Sequence, residues 1–222
     1  MHFCLFDIDG TLLNSGGAGK IAIETALQED FGVTIRTQVT YSGRTDRAIA
    51  RDLMRFHGVA ETAENSRRLV SGYLQRLPAA LAKHNGRVLP GIAALLQTLA
   101  ERDDVAVGLL TGNIREGAHV KLGHFGLNDH FAFGGFGDHH WERDDVAREA
   151  LAAIHGLHGN TVPLQRVWVI GDTPLDVQCA RAIGARVVAV ATGLHTVDQL
   201  RATEPDLLLA DLSDHAPLLG ML

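Results

Sequence analysis

Short apolar runs alternate with longer amphipathic segments over much of the chain. The runs predict strands buried on both faces of a sheet, and the segments between them carry apolar residues at helical spacing. The predicted strands are 2–6, 105–110, 131–136, 166–170, 186–191 and 206–209, and the predicted helices are 114–125, 144–155, 174–183 and 197–202. This alternation predicts an α/β fold with a Rossmann-like, doubly wound parallel sheet.

Residues 15–89 interrupt the alternation because they contain helical segments without strands between them. Their shared apolar faces are Ile49, Leu53 and Phe56 in one segment and Leu69, Tyr73 and Leu77 in the next. Pro78 is expected to kink or end the second segment. We therefore predict a core domain of residues 1–14 and 90–222, with an inserted α-helical cap domain of residues 15–89.

The composition is that of a globular protein and excludes several classes. Of 222 residues, 46% are hydrophobic and 21% charged, which excludes disordered and collagen-like chains. Cys4 and Cys179 have no partner at metal-ligand spacing, which favours a reducing compartment. No apolar run reaches the roughly 18 residues of a membrane span. We expect a soluble, cytoplasmic protein with no membrane partner.

Charge is divided between the two predicted domains. Residues 15–89 carry 11 Lys and Arg against 7 Asp and Glu, a net charge of +4, whereas the remainder carries 9 against 19, a net charge of −10. The cap is either an ordinary charged surface or a basic lid that attracts an anionic substrate. With 5% aromatic residues and a net charge of −6, nucleic acid is not expected as a partner.

Polar clusters follow four of the predicted strands, namely Asp7-Ile8-Asp9-Gly10, Thr111-Gly112-Asn113, Gly137-Asp138-His139-His140 and Gly171-Asp172-Thr173-Pro174. Ligands bind at the carboxyl ends of such strands. Asp7 and Asp9, two residues apart, can face the same small volume, and carboxylates without His or Cys favour Mg²⁺. Structural alternatives exist: Asp9-Gly10 is a common turn pair, and Asp176 can complete a capping box with Thr173.

These motifs resemble the haloacid dehalogenase superfamily of hydrolases. Asp7 to Leu12 is similar to its DxDGT(L) signature, Thr111 resembles the second motif, and Gly171 to Asp176 resembles the fourth, GDxxxD. The third motif departs from the pattern because the family's usual Lys is missing from that interval. Arg143 is the candidate there, with a surface position at a helix start as the alternative. The cap would be inserted after the first motif.

The resemblance implies a Mg²⁺-dependent phosphatase acting on a small phosphorylated metabolite, similar to phosphoglycolate phosphatases. Asp7 would be the nucleophile that forms an aspartyl-phosphate, and Asp9 the acid/base. Asp7, Asp9 and Asp172 would hold the metal, with Asp176 in support. Catalytic and substrate-binding contacts to the phosphoryl group would come from Thr111, Gly112, Asn113 and Arg143. The alternatives are a phosphosugar mutase of the β-phosphoglucomutase kind and a catalytically idle binding relative.

Further motifs lead to weaker hypotheses. Gly16 to Lys20 lacks the spacing of a P-loop and is rejected. His139 and His140 are expected at the rim of the site or exposed, since no third metal ligand is spaced for them. Arg44 and Thr45 lie where a cap helix is predicted to start. They form either a capping turn or a substrate-selecting loop that faces the core, with Arg44 as the candidate substrate-binding residue.

Overall fold

A six-stranded parallel sheet forms the centre of the protein, in a computed structural model that describes residues 1–37, 39–159 and 162–222. The strands of this part of the chain are β1 (His2–Phe6), β2 (Leu13–Asn14), β3 (Arg87–Val88), β4 (Val105–Leu110), β5 (Gly134–Gly135), β6 (Val167–Gly171), β7 (Arg186–Val190) and β8 (Leu207–Leu209). The large sheet has the order β5-β4-β1-β6-β7-β8, with β1 in register with β4 and β6 on its two sides. The predicted α/β fold with a doubly wound parallel sheet is confirmed.

Helices cover both faces of this sheet and build the cap. The helices of the described residues are α1 (Ala18–Phe31), α2 (Asp46–Phe56), α3 (Ala63–Lys83), α4 (Ile92–Ala100), α5 (Arg115–His124), α6 (Arg143–His158), α7 (Pro174–Ala182), α8 (Val197–Arg201) and α9 (Ala216–Leu219). Short 3-10 turns lie at Asn128–His130 and Leu164–Arg166. Within residues 1–37, 39–159 and 162–222, we find no helix with the length and apolar character needed to cross a membrane.

Alternate residues of β1 enter two separate apolar cores. Cys4 and Phe6 pack into one core with α4 and α5, while Phe3 and Leu5 pack into the other with α6 and α7. A strand that is buried on both faces reads as a continuous apolar run, which explains the pattern of residues 2–6. Both cores pack against the central strands, so the residues that follow β1, β4 and β6 emerge from buried strand ends.

Helices α1, α2 and α3 form a third apolar core that includes Leu27, Leu53, Leu69 and Leu77. The chain passes into and out of this helical unit through β2 and β3, which pair antiparallel with Leu13 opposite Val88. This two-stranded ribbon adjoins both ends of the cap predicted at residues 15–89.

Three local expectations from the sequence differ from the structure. Pro78 lies inside α3 and does not end it, because buried Leu77 and Leu81 hold the helix on both sides of the proline. Phe56 is 55% exposed, although it shares a predicted face with buried Leu53. The strand predicted at 131–136 is shorter in the structure, Gly134–Gly135, and pairs with β4 at the end of the sheet order.

Candidate active site

The first pair of acidic residues lies where the chain leaves β1. The Asp7 N–H donates to the Ile170 carbonyl at 2.9 Å and so continues the ladder between β1 and β6 at the carboxyl edge of the sheet. Gly10 has a φ of 90°, and a Cβ there would lie 2.4 Å from Asp172 Oδ2. Glycine is therefore needed for the turn to approach Asp172 this closely. The Asp9-Gly10 pair is both a turn and part of the site.

Arg143, the first residue of α6, is buried beside Asp7 and is only 6% exposed. Its Nη2 lies 3.0 Å from Asp7 Oδ1, forms an ion pair with Asp176 Oδ1 and donates to the Leu110 carbonyl at 3.4 Å. Burial would lower the pKa of the guanidinium, but the charges of Asp176 and Asp7 raise the pKa well above its usual value. The alternative of a surface arginine is wrong, and a permanent positive charge adjoins Asp7.

Asp176 forms the predicted capping box and also pairs with Arg143. Thr173 and Asp176 form a capping box at the start of α7, with Pro174 at the first helical position. Asp176 Oδ2 accepts from the Thr173 N–H at 2.9 Å and from the Thr173 hydroxyl at 2.8 Å, while Oδ1 pairs with Arg143. Because both oxygens are engaged, Asp176 supports Arg143 more directly than it offers a free ligand atom.

Asp7, Asp172 and Asp176 each place a carboxylate oxygen within 4.8 Å of the others. Burial, followed by the charges of Asp176 and Asp7, raises the pKa of Asp172 to about 8. Burial also raises the pKa of Asp7 to about 6, against the opposing charge of Arg143. A bound cation would offset the mutual repulsion of these carboxylates.

The donor set of this cluster fits a hard divalent cation. Asp7 Oδ1 is buried and has no hydrogen-bond partner among the described residues beyond its ion pair with Arg143, and Asp172 receives a hydrogen bond from the Thr11 hydroxyl at 3.1 Å. Carboxylate oxygens without His or Cys are typical of Mg²⁺ sites. Asp7 and Asp172 are the residues with carboxylate oxygens to offer, and the cluster is a candidate cation site.

Asp9 is held by Lys121, a residue that sequence reasoning missed. Lys121 Nζ lies 2.5 Å from Asp9 Oδ2 and 2.6 Å from Asn113 Oδ1, and Ser15 Oγ donates to Asp9 Oδ1 at 3.3 Å. Burial would raise the pKa of Asp9, but the charge of Lys121 and the hydrogen bonds from Lys121, Asn113 and Ser15 outweigh burial and lower the pKa. The sequence signal for Lys121 was a lysine next to Leu122, at a position of α5 that the structure shows to be buried.

The loop after β4 carries the predicted phosphoryl-binding residues. Gly112 and Asn113 line the cavity, whereas Thr111 is fully buried beneath them. Thr111 Oγ1 accepts from the Asn113 N–H at 3.3 Å and from the Asn113 amide at 2.8 Å. The same amide donates to Asp9 Oδ2 at 2.9 Å. This loop is therefore tied directly to the first motif.

A cavity of about 320 Å³ lies between these loops and the cap. The core contributes the residues described above, and the cap contributes Lys20, Tyr41, Arg44, Ile49 and Tyr73 among others. Arg44 lines this cavity. Its Nη2 lies 2.8 Å from Asp52 Oδ2, so its charge is already paired within the cap.

The first turn of α2 docks on the loop after β4. Thr45 caps α2 by accepting from the Ala48 N–H at 3.1 Å, as the capping alternative predicts. The Asp46 N–H donates to the Gly112 carbonyl at 2.7 Å, and Asp46 Oδ2 accepts from the Ile114 N–H at 3.0 Å. Burial raises the pKa of Asp46 to about 6. Sequence reasoning missed this contact between cap and core.

His139 and His140 take no part in the acidic cluster. His140 Nε2 lies 2.8 Å from Glu149 Oε2, and His139 borders a separate groove between cap and core. Among the described residues, the one cluster with the spacing of a metal site is that of Asp7, Asp172 and Asp176.

Comparison with known proteins identifies the family. The haloacid dehalogenase-like hydrolase family profile matches residues 4–190, so the chain belongs to that family. A phosphoglycolate phosphatase from Synechococcus elongatus is 29% identical over 216 residues, which cover 96% of this chain and 95% of that protein. The predictions of this family and of an enzyme of the phosphatase class are confirmed.

Solved structures share the fold along the whole chain. A hydrolase from Pseudomonas syringae has a TM-score of 0.75 at 22% identity, covering 100% of this chain and 99% of that chain. CbbY from Rhodobacter sphaeroides, solved in complex with phosphate, has a TM-score of 0.78 at 19% identity, covering 97% of this chain and 96% of that chain. At these identities the two structures support the α/β fold alone.

Proposed function

We propose that the protein is a Mg²⁺-dependent phosphatase that hydrolyses a small phosphorylated metabolite of the phosphoglycolate kind through an aspartyl-phosphate. The observation that carries the proposal is the placement of Asp7, which lines the cavity and whose carboxylate lies 3.0 Å from the guanidinium of Arg143. A carboxylate that borders the substrate cavity beside a fixed positive charge can act as a nucleophile.

Asp7 attacks phosphorus in the first step, while the bond from phosphorus to the ester oxygen breaks. Asp9 gives its proton to that leaving oxygen. In the second step Asp9 accepts a proton from water, the water oxygen attacks phosphorus, and the bond to Asp7 breaks. Inorganic phosphate leaves, Asp7 is again a free carboxylate, and Asp9 gives up its proton as the phosphate departs.

The ionised state of Asp9 in the free protein is compatible with this role. Lys121 lowers the pKa of Asp9, but a bound phosphate brings negative charge close to the same carboxylate and shifts its pKa upward. A phosphate monoester can also carry the proton into the site. Asp9 therefore becomes a competent acid only when substrate is bound.

Arg143 and the loop after β4 hold the transferring group. Arg143 keeps its positive charge beside Asp7, and Gly112 and Asn113 line the cavity, where the phosphoryl oxygens would bind. Thr111 would act from below this loop, through Asn113. A divalent metal held by Asp7, Asp172 and the Asp9 carbonyl would offset the repulsion between the nucleophile and the anionic phosphate.

The cavity supports a small substrate. Its volume of about 320 Å³ is at the lower end of the range typical of ligand pockets. Arg44 faces it from the cap, where the non-transferred end of a phosphorylated acid would lie. The carboxylate of such a substrate would compete with Asp52 for the guanidinium.

A panel of phosphorylated metabolites, 2-phosphoglycolate included, tests the proposal by release of inorganic phosphate with Mg²⁺ and with EDTA. We expect turnover with Mg²⁺ and none with EDTA, and mass spectrometry of acid-quenched enzyme should find phosphate on Asp7. Asp7→Asn, which keeps the side-chain volume, should fold, show no phosphorylation and lose turnover. An isomerised sugar phosphate without phosphate release would indicate a mutase, and no reaction with any ester would indicate a binding protein.

A further inference from the structure

Lys121 is a buried lysine at the edge of the candidate active site. It lies on α5, on the helix face that also carries Ala118 and Leu122, and only 4% of the residue is exposed. Buried lysines are rare unless an anion pairs with them. The cap covers the side chain, since a Cβ on Gly19 of α1 would lie 3.3 Å from Lys121 Nζ.

The contacts of Lys121 converge on Asp9. Its Nζ lies 2.5 Å from Asp9 Oδ2 and 2.6 Å from Asn113 Oδ1, and the Asn113 amide donates to the same Asp9 oxygen at 2.9 Å. These three groups form a closed set in which each side chain touches the other two. Ser15 contacts the remaining oxygen at 3.3 Å. The orientation of the Asp9 carboxylate is therefore determined by its partners.

The two buried cations of the site serve different carboxylates. Arg143 pairs with Asp7 and Asp176, and Lys121 pairs with Asp9. The nucleophile thus has its own positive partner, and Lys121 is free to serve the second aspartate.

We propose that Lys121 is the positioning residue for the acid/base Asp9. Lys121 and Asn113 together keep the Asp9 carboxyl in the orientation from which it reaches the leaving oxygen. Lys121 transfers no proton itself, because the proton passes from Asp9 to the ester oxygen as the bond between phosphorus and oxygen breaks. This inference rests on the proposed role of Asp9, and its test separates the two.

The dependence of the rate on the leaving group measures this role. A good leaving group such as p-nitrophenolate departs without a proton, whereas phenolate needs an acid. The value of kcat/KM includes steps up to the transfer of phosphate to Asp7, so the later role of Asp9 as a base does not enter. We would compare p-nitrophenyl phosphate, phenyl phosphate and p-methoxyphenyl phosphate with the wild type, Lys121→Met and Asp9→Asn.

We expect Lys121→Met to lose on the order of tenfold or more in kcat/KM for phenyl and p-methoxyphenyl phosphate, and to stay within about threefold for p-nitrophenyl phosphate. Asp9→Asn should show the same steeper dependence, and adding Lys121→Met to it should cause no further selective loss. Lys83→Met, which removes an exposed lysine at the end of α3, is the matched control and should leave all three values unchanged.

Circular dichroism and thermal unfolding establish that each variant is folded. If Lys121→Met is unfolded, Lys121→Gln replaces it in the same comparison. The selective loss should then be smaller, because the glutamine amide can still donate to Asp9. Equal losses for all three esters would overturn the inference and make Lys121 a phosphate-binding or structural residue. Absence of turnover in the wild type would instead refute the proposed function.

Discussion

Replacement of Asp172 by Asn should stabilise the metal-free protein at high pH. Asp172 is 3% exposed and shares a small volume with Asp7 and Asp176, so its charged form is unfavourable without a cation. An asparagine has nearly the same shape, and its oxygen can still accept from the Thr11 hydroxyl that now donates at 3.1 Å. The variant removes one charge from the cluster with little change in packing.

The magnitude follows from the pKa of Asp172, which rises from 3.8 to about 8 on folding. The folded chain keeps a proton that the unfolded chain releases, so the free energy of unfolding falls as pH rises from about 4 to about 8. At about 1.4 kcal/mol per pH unit, this cost approaches about 5 kcal/mol at pH 8 and about 1 to 2 kcal/mol at pH 5. Asp7 and Asp176 stay in place in the variant and take up part of the same repulsion. We therefore expect Asp172→Asn to raise the free energy of unfolding at pH 8 by about 2 to 4 kcal/mol, which is less than the full cost.

Thermal unfolding in EDTA between pH 5 and pH 8.5 measures this effect. A gain of that size raises Tm by roughly 5 to 12 °C for a chain of this length at pH 8, and by much less at pH 5. Mg²⁺ should stabilise the wild type strongly at pH 8, since the cation replaces the proton, and should stabilise Asp172→Asn little. Asp103→Asn, at an exposed position far from the cluster in sequence, is the control. An equal gain at pH 5 and pH 8, or none, would refute the repulsion argument.

The remaining predictions concern the two arginines of the site. Arg143→Ala should lower kcat/KM on the order of 10²-fold or more, because one fixed positive charge beside Asp7 is lost. Arg143→Lys should recover part of the activity. Wild-type kinetics for Arg143→Ala would exclude a role of Arg143 in holding the phosphoryl group. Arg44→Ala should raise KM for an anionic metabolite while p-nitrophenyl phosphate turnover stays within a few-fold, and Asp52→Asn, which frees Arg44, should lower that KM. Equal damage to both substrates would place Arg44 in the catalytic machinery or in the fold.

The sequence by itself determined the sheet, the inserted helical segments and the acidic residues at the strand ends. These features depend on short-range patterns: a strand buried on both faces must be apolar throughout, as residues 2–6 are, and a chain that leaves such a strand presents its next residues at the sheet edge. The capping box of Thr173 and Asp176 is equally local, since its two residues lie within one helical turn.

The tertiary structure decided the partners of the charged groups. Lys121 and Asp9 are 112 positions apart, and only the packing of α5 against the core brings the ammonium to the carboxylate. The same holds for Arg143, which the sequence allowed to be either a surface residue or the third-motif residue, and which the structure pairs with Asp7. Helix α3 continues past Pro78 because buried neighbours outweigh the local preference. Local sequence fixes which groups reach the sheet edge, whereas long-range packing fixes which charges meet there.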